Sequence, residues 1–158
     1  FEKTLKAACD EVLFSRKSFA LFFIDLDDFK KVNDTLGHTT GDKLLQQVAA
    51  RLASAIGESD CLARLGGDEF VILVHDITAR SEISVIANKI IQVLSKPIDV
   101  GSTIFSITAS VGITLYGEFA TSPEALMKCA DIAMYKAKRN GRNNFFIYCI
   151  PFMAMCIY

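Results

Sequence analysis

The sequence predicts an α+β fold, and three observations carry the prediction. The run Arg64-Leu65-Gly66-Gly67-Asp68-Glu69-Phe70 sets a glycine pair between two strand-like segments and reads as a β-hairpin. A hairpin forces antiparallel pairing, which excludes a doubly wound parallel sheet. Apolar stripes recur at helical spacing, and residues Phe105 to Leu115 alternate apolar with small residues at the period of a strand.

Taken in order, Phe1, Leu5, Ala8, Val12 and Leu13 form a first helical stripe. Leu21-Phe22-Phe23-Ile24 is too continuous for an edge strand and fits a central one buried on both faces. It runs into Asp25-Leu26-Asp27-Asp28 and then a short helix from Phe29 to Leu36, for which Asp27 or Asp28 is an available cap; Asp25 lies too early. Leu44, Leu45, Val48, Leu52, Ala55 and Ile56 make a second stripe, on a helix beginning near Lys43 that Asp42 could cap. Cys61 to Leu65 reads as a strand, Gly66-Gly67 as a positive-φ turn, and Asp68-Glu69 as the opening of the return strand through Phe70-Val71-Ile72-Leu73-Val74. Ile83, Ile86, Ile90, Val93 and Leu94 make a third stripe. Leu126, Ala130, Ala133, Met134 and Ala137 make a fourth, which Gly141 can terminate. Between these helices, Phe105, Ile107, Ala109, Val111, Ile113 and Leu115 alternate with Ser, Thr or Gly, which predicts one long strand with one face less buried.

With 158 residues and 51% hydrophobic content the chain can bury one sizeable core, and no repeat or Pro/Gly/Ser-rich linker divides it. Net charge is −1 and the pI about 6.1. Duplex nucleic acid and anionic lipid therefore find no basic footprint, and any nucleotide must be held locally. The cysteines Cys9, Cys61, Cys129, Cys149 and Cys156 form no CxxC pair and suggest neither a disulfide framework nor a zinc site. A cytoplasmic location is expected, with attachment of a longer protein to the inner membrane left open. No signal peptide and no uninterrupted apolar run of spanning length is recognisable.

Two acidic clusters sit at the ends of apolar strands. Asp25 and Asp27 share a face by the period of two, and neighbouring carboxylates are costly unless a cation or a proton separates them. Oxygen donors of this kind suit magnesium. An EF-hand loop is excluded, because Phe29 and Lys30 stand where a ligand and the turn glycine are required and Leu36 replaces the closing glutamate. Gly37 to Lys43 lacks the spacing of a phosphate-binding loop, and Asp42 stands directly before its lysine. His38 and His75 have no Ser or Cys and acid beside them to support a triad. Lys138 and Arg142 are four apart, so a helix end could present both to phosphates, with Lys30 following the first acidic cluster; Lys136 and Arg139 read as complements to a helix dipole.

The strings FFIDLDDFKKVNDTLGHTTGD, ARLGGDEFVIL, ITASVGITLY and ADIAMYKAKRNGRN, in that order, resemble the successive motifs of the GGDEF domain of bacterial diguanylate cyclases. The resemblance covers about Phe1 to Phe145. The family's preceding turn would lie before Phe1, so the chain reads as a piece of a longer one. The fold implied is nucleotidyl-cyclase or polymerase-palm-like, with a central, mainly antiparallel five-stranded sheet surrounded by helices over residues 1–147. Residue by residue, the resemblance implies Asp25, Asp68, Glu69 and the Leu26 carbonyl as ligands of magnesium or manganese. It implies Asn33 and Asp42 as guanine readers, Lys30, Lys138 and Arg142 as triphosphate contacts, and Phe29 and His38 as further GTP-site residues. Asp68 and Glu69 are the implied catalytic acids. The implied reaction joins two GTP into cyclic di-GMP and releases two pyrophosphates across a dimer of GTP-loaded domains. A fused sensor or EAL domain is an expected partner, and nucleic acid is not. The alternative is a GTP-binding regulatory module controlling a fused EAL phosphodiesterase, whose seam the ending GRNNF resembles.

Two departures stand out. The family's inhibitory product-binding tetrad, Arg-x-x-Asp, is Gly57-Glu58-Ser59-Asp60 here, so with the arginine missing no such product site is expected. The run from Phe145 to Tyr158 is uncharged and broken by Pro151, too short to span a bilayer; a last strand is expected, followed by an apolar extension over 148–158.

Overall fold

The computed structural model describes residues 1–15, 17–101 and 103–149. Helix α1 (Glu2–Ser15) leads into β1 (Ser18–Leu26), then α2 (Phe29–Leu36) and α3 (His38–Ala55). The hairpin β2 (Cys61–Gly66) and β3 (Glu69–Ile77) is followed by α4 (Arg80–Ser95) and a small ribbon of β4 (Ile98–Asp99) and β5 (Ile104–Phe105). Strand β6 (Ala109–Leu115), helix α5 (Pro123–Arg139) and strand β7 (Asn144–Ile147) complete the fold. The main sheet has the order β2-β3-β1-β6-β7. All its pairings are antiparallel except β6 with β7, which α5 connects.

The apolar run of β1 lies in the middle of this sheet, as its continuity requires. Its residues alternate between two cores. Ala20, Phe22, Ile24 and Leu26 pack with Phe70, Ile72, Val111 and the faces of α3 and α4. Phe19, Leu21 and Phe23 pack with Val71, Leu73, Leu5 of α1 and Leu126, Ala130 and Met134 of α5. The sheet is thus covered on both faces.

The structure departs from the sequence reading in places that matter for the site. The hairpin turn is Gly67-Asp68, one residue later than expected, because Leu65 interrupts the pairing between Arg64 and Gly66; Glu69, not Asp68, opens β3. Gly67 takes φ 52°, the left-handed conformation that favours glycine. The long strand expected over 105–115 is broken, with Phe105 in the ribbon and β6 starting only at Ala109. The small residues within β6 are not solvent-facing, although Ser106 before it is exposed: Ser110 and Thr114 are fully buried. They are small because α5 lies directly on the strand, where a Cβ on Gly112 would come within 2.0 Å of the Ala130 carbonyl oxygen. On α1 the buried face is Leu5, Ala8 and Cys9, while Leu13 is 72% exposed. Helix α3 begins at His38, so Asp42 lies inside it and caps nothing. Helix α5 ends at Arg139, so Arg142 is not on the face of Lys138 but in the following turn, at φ 60°. Of the apolar extension, residues 150–158 lie outside the described residues. Among the described residues no helix is long and apolar enough to cross a membrane.

Candidate active site

The acidic clusters meet because of how β1 pairs. Asp25, at its C-terminal end, stands opposite Glu69 of β3, and the Leu26 amide donates to the Asp68 carbonyl at 3.2 Å. Asp25 continues the odd-numbered series of β1 that faces α5, which brings it within reach of that helix's last turn. There the Lys138 ammonium is 2.7 Å from its Oδ1, with the Asp25 side chain only 10% exposed. Burial raises the Asp25 carboxyl above its ordinary value; Lys138 opposes that rise, while Asp68 and Asp27 add to it. Glu69 is also raised, first by burial and then by the charges of Asp25, Asp68 and Asp131. Asp131, on α5, belongs to a motif noted in the sequence but was assigned no role there; only its position on α5 brings it beside Glu69.

These donors suit a hard divalent cation in kind and in charge, since anionic oxygens crowded into a half-buried corner raise one another's proton affinity. The ligand set is not closed. Among the described residues no three His, Cys, Asp or Glu side chains converge into a metal-holding group. Asp25 is instead turned to Lys138.

Asp27 and Asp28 serve neither as side-chain helix caps nor as part of the acidic cluster. Asp28 is in the left-handed conformation, φ 58°, without a side-chain cap bond. Its carboxyl is held below its ordinary value first by Lys31, 3.0 Å away, and further by the nearby charge of Arg142. Asp27 is buried, and its carboxylate accepts from Ser110 Oγ, Thr108 Oγ1 and the Asn143 amide.

Behind the acids, α2 and α3 form a corner. Asn33 lies against Gly41, whose lack of a side chain makes the room: a Cβ there would be 1.9 Å from Asn33 Oδ1. That oxygen is buried without a hydrogen-bond partner, an arrangement that proteins rarely leave unfilled. Asp42, one residue on, is exposed and lines a groove of about 410 Å³ with Leu45, Gln46, Leu62, Arg64 and Phe70. Arg64 Nε donates to the Gly67 carbonyl at 2.9 Å, which ties one wall of the groove to the hairpin turn. Lys30 and His38 are exposed at the first turns of α2 and α3. The Phe29 side chain is buried in the core, which leaves its main chain as the part that can face a ligand.

The family model "Diguanylate cyclase, GGDEF domain" matches residues 1–144. The chain belongs to the GGDEF domain family. It is similar to diguanylate cyclase TpbB of Pseudomonas aeruginosa, 42% identical over 146 residues, or 91% of this chain and 33% of that protein. It is also similar to cyclic di-GMP phosphodiesterase NbdA of the same species, 41% identical over 128 residues, 81% of this chain and 16% of that protein. The crystal structure of the TpbB GGDEF domain superposes with a TM-score of 0.92 at 39% identity, covering 96% of this chain and 94% of that one. The chain thus spans a third or less of the curated relatives named here. The five-stranded sheet flanked by helices matches the family's fold.

At the place of the GGDEF family's inhibitory motif, the structure gives Asp60 another task. Its carboxylate accepts from the Gly57 amide at 2.7 Å and the His75 amide at 3.0 Å, pinning the loop before β2 to β3.

The raised carboxyl of Asp25 has a consequence for stability. A carboxylate whose folded value lies above its unfolded one disfavours the native state at neutral pH, and the disadvantage disappears as pH falls through the folded value toward about 4. Asp25→Asn should therefore melt no lower than the wild type at pH 7 without ligands, and its advantage should shrink on acidification. Thermal melts of both proteins across pH check this; a neutral-pH loss of stability would mean that the Lys138 ion pair outweighs the desolvation of Asp25.

Proposed function

We propose that this GGDEF domain condenses two GTP molecules into cyclic di-GMP, using magnesium or manganese held by Asp25, Asp68, Glu69 and the Leu26 carbonyl. The observation that carries the reading is the pairing of Asp25 with Glu69 beside Asp68, with Lys138 against Asp25, at the hairpin whose Arg64 also lines the groove of Asp42. When bound, the cation supplies charge for the triphosphate and acidifies the attacking hydroxyl. Lys138 and Arg142 hold the phosphates, and Lys30 and the main chain at Phe29 approach them from the uncapped start of α2. His38 flanks the same loop. Each 3′ hydroxyl attacks the α-phosphate of the opposite nucleotide, forming one ester bond and breaking the bond to the β-phosphate. One domain holds one GTP, so a second GTP-loaded domain must face it. Asp68 or Glu69, both at the hairpin tip, would accept the hydroxyl proton. A fused sensor or EAL domain would set when the two domains meet.

The second reading is a GTP-binding module that regulates a fused phosphodiesterase; the resemblance to NbdA, named as a phosphodiesterase, favours it. Incubation with GTP and magnesium, with the domain fused to a dimerising coiled coil, separates the two. Cyclic di-GMP should form, and Asp68→Asn should lower its rate by at least about two to three orders of magnitude, as for loss of other preorganised charge contacts. GTP binding without product would favour the regulatory module.

Asn33 and Asp42 account for base choice. The N1 and N2 donors of guanine suit a carboxylate, and adenine lacks that pair. ATP would forgo these hydrogen bonds and leave the exposed Asp42 carboxylate to water, so the discrimination comes from the lost bonds and not from a buried unpaired charge. Asp42→Asn should weaken GTP binding and narrow the GTP-to-ATP gap, while its melting temperature stays near that of the wild type because Asp42 caps no helix. Unchanged GTP preference, measured as the two nucleotide affinities, would remove Asp42 from the site.

A further inference from the structure

Among the described residues, Asp27 centres a well-connected polar cluster that the proposed chemistry does not use. Its main-chain amide donates to the Thr108 carbonyl at 2.8 Å. Its Oδ1 accepts from Ser110 Oγ at 2.7 Å, and its Oδ2 from Thr108 Oγ1 at 2.7 Å and from the Asn143 amide at 3.0 Å. One buried carboxylate thereby ties the end of β1 to the start of β6 and to the turn between α5 and β7. That turn is unusual: Arg142 and Asn143 are both left-handed, with φ 60° and 47°. Side chains disfavour this conformation, so the surroundings must hold it. Asn144 braces it from within, its Nδ2 donating to the Asn140 and Arg142 carbonyls, and Asp27 braces it from outside. We propose that Asp27 is a positioning residue, fixing the Arg142 turn relative to the Asp25–Leu26 end of β1 so that the phosphate-binding cation and the acidic cluster keep one geometry. This rests on the assignment of Arg142 to the triphosphate. It gives Asp27 a role distinct from metal ligation and from helix capping, the two tasks its place in the sequence suggested.

The test measures binding of a non-hydrolysable GTP analogue with magnesium. Asp27→Ala should weaken it about tenfold, the scale of a displaced charge-assisted contact. Asp27→Asn, which keeps an acceptor for the Asn143 amide, should restore most of the affinity. Adding Asp27→Ala to Arg142→Ala should cost no more than about a further twofold, because both act through one contact. Full additivity would overturn the proposal. Ser110→Ala removes the bond to Oδ1 and leaves that to Asn143, so it should lower the melting temperature while affinity stays within about twofold. This arm decides even if Asp27→Ala does not fold, since a tenfold loss in Ser110→Ala would show that affinity follows general stability and sink the proposal. Should the wild type bind no triphosphate, the proposed function fails. Hydrogen exchange at the Asn143 amide then tests the brace alone: faster exchange in Asp27→Ala than in Arg142→Ala supports it, and equal exchange overturns it.

Discussion

The pairing of β1 with β3 holds Asp25 opposite Glu69 at the edge of a closed core, and the rest of the site follows from that constraint. A one-residue slip would move every side chain of β1 into the other, differently shaped core and turn Asp25 away from Lys138. The acids are therefore fixed in a position that electrostatics disfavours. Burial and mutual repulsion raise the carboxyls of Asp25 and Glu69, and Lys138 supplies partial compensation. A rigid scaffold that holds like charges together favours a proton or a cation between them, and the proposed metal site rests on that.

The same close packing explains the composition of β6. Gly112 has no side chain because α5 lies directly on the sheet there, the same helix whose last turn brings Lys138 to Asp25. The turn after α5 then brings Arg142 toward Asp28, and Asp27 ties that turn to β1. Fold and site share the same contacts, so a change in the helix-to-strand distance would move both.

Much of this was legible in the sequence. The continuous run Leu21 to Ile24 identified the central strand, and the stripes on α3, α4 and α5 identified core faces, because burial on a regular element imposes a period. Leu13 lies outside the packed face of α1, which runs through Leu5, Ala8, Cys9 and Val12. What a period cannot reveal is distance between elements. Small residues on β6 looked like a wetter face but mark a tight helix contact. Spacing put Lys138 and Arg142 on one helix face, whereas the helix ends between them. The bulge at Leu65 shifted the hairpin turn by one residue. The tasks of Asp27 and Asp60 depend on partners far along the chain, Asn143 and His75, and no local pattern announces them.

The claim that this crowded acidic corner is a metal–triphosphate site is tested most directly by ligand-induced stabilisation of the wild-type protein. Magnesium alone, a non-hydrolysable GTP analogue alone, and both together should be compared by melting temperature. A ligand that binds only the native state raises it in proportion to occupancy. Cation and triphosphate together should produce a rise well beyond the sum of the separate effects, and Asp25→Asn should lose that surplus. No rise with both present, or an equal surplus in Asp25→Asn, would contradict the account.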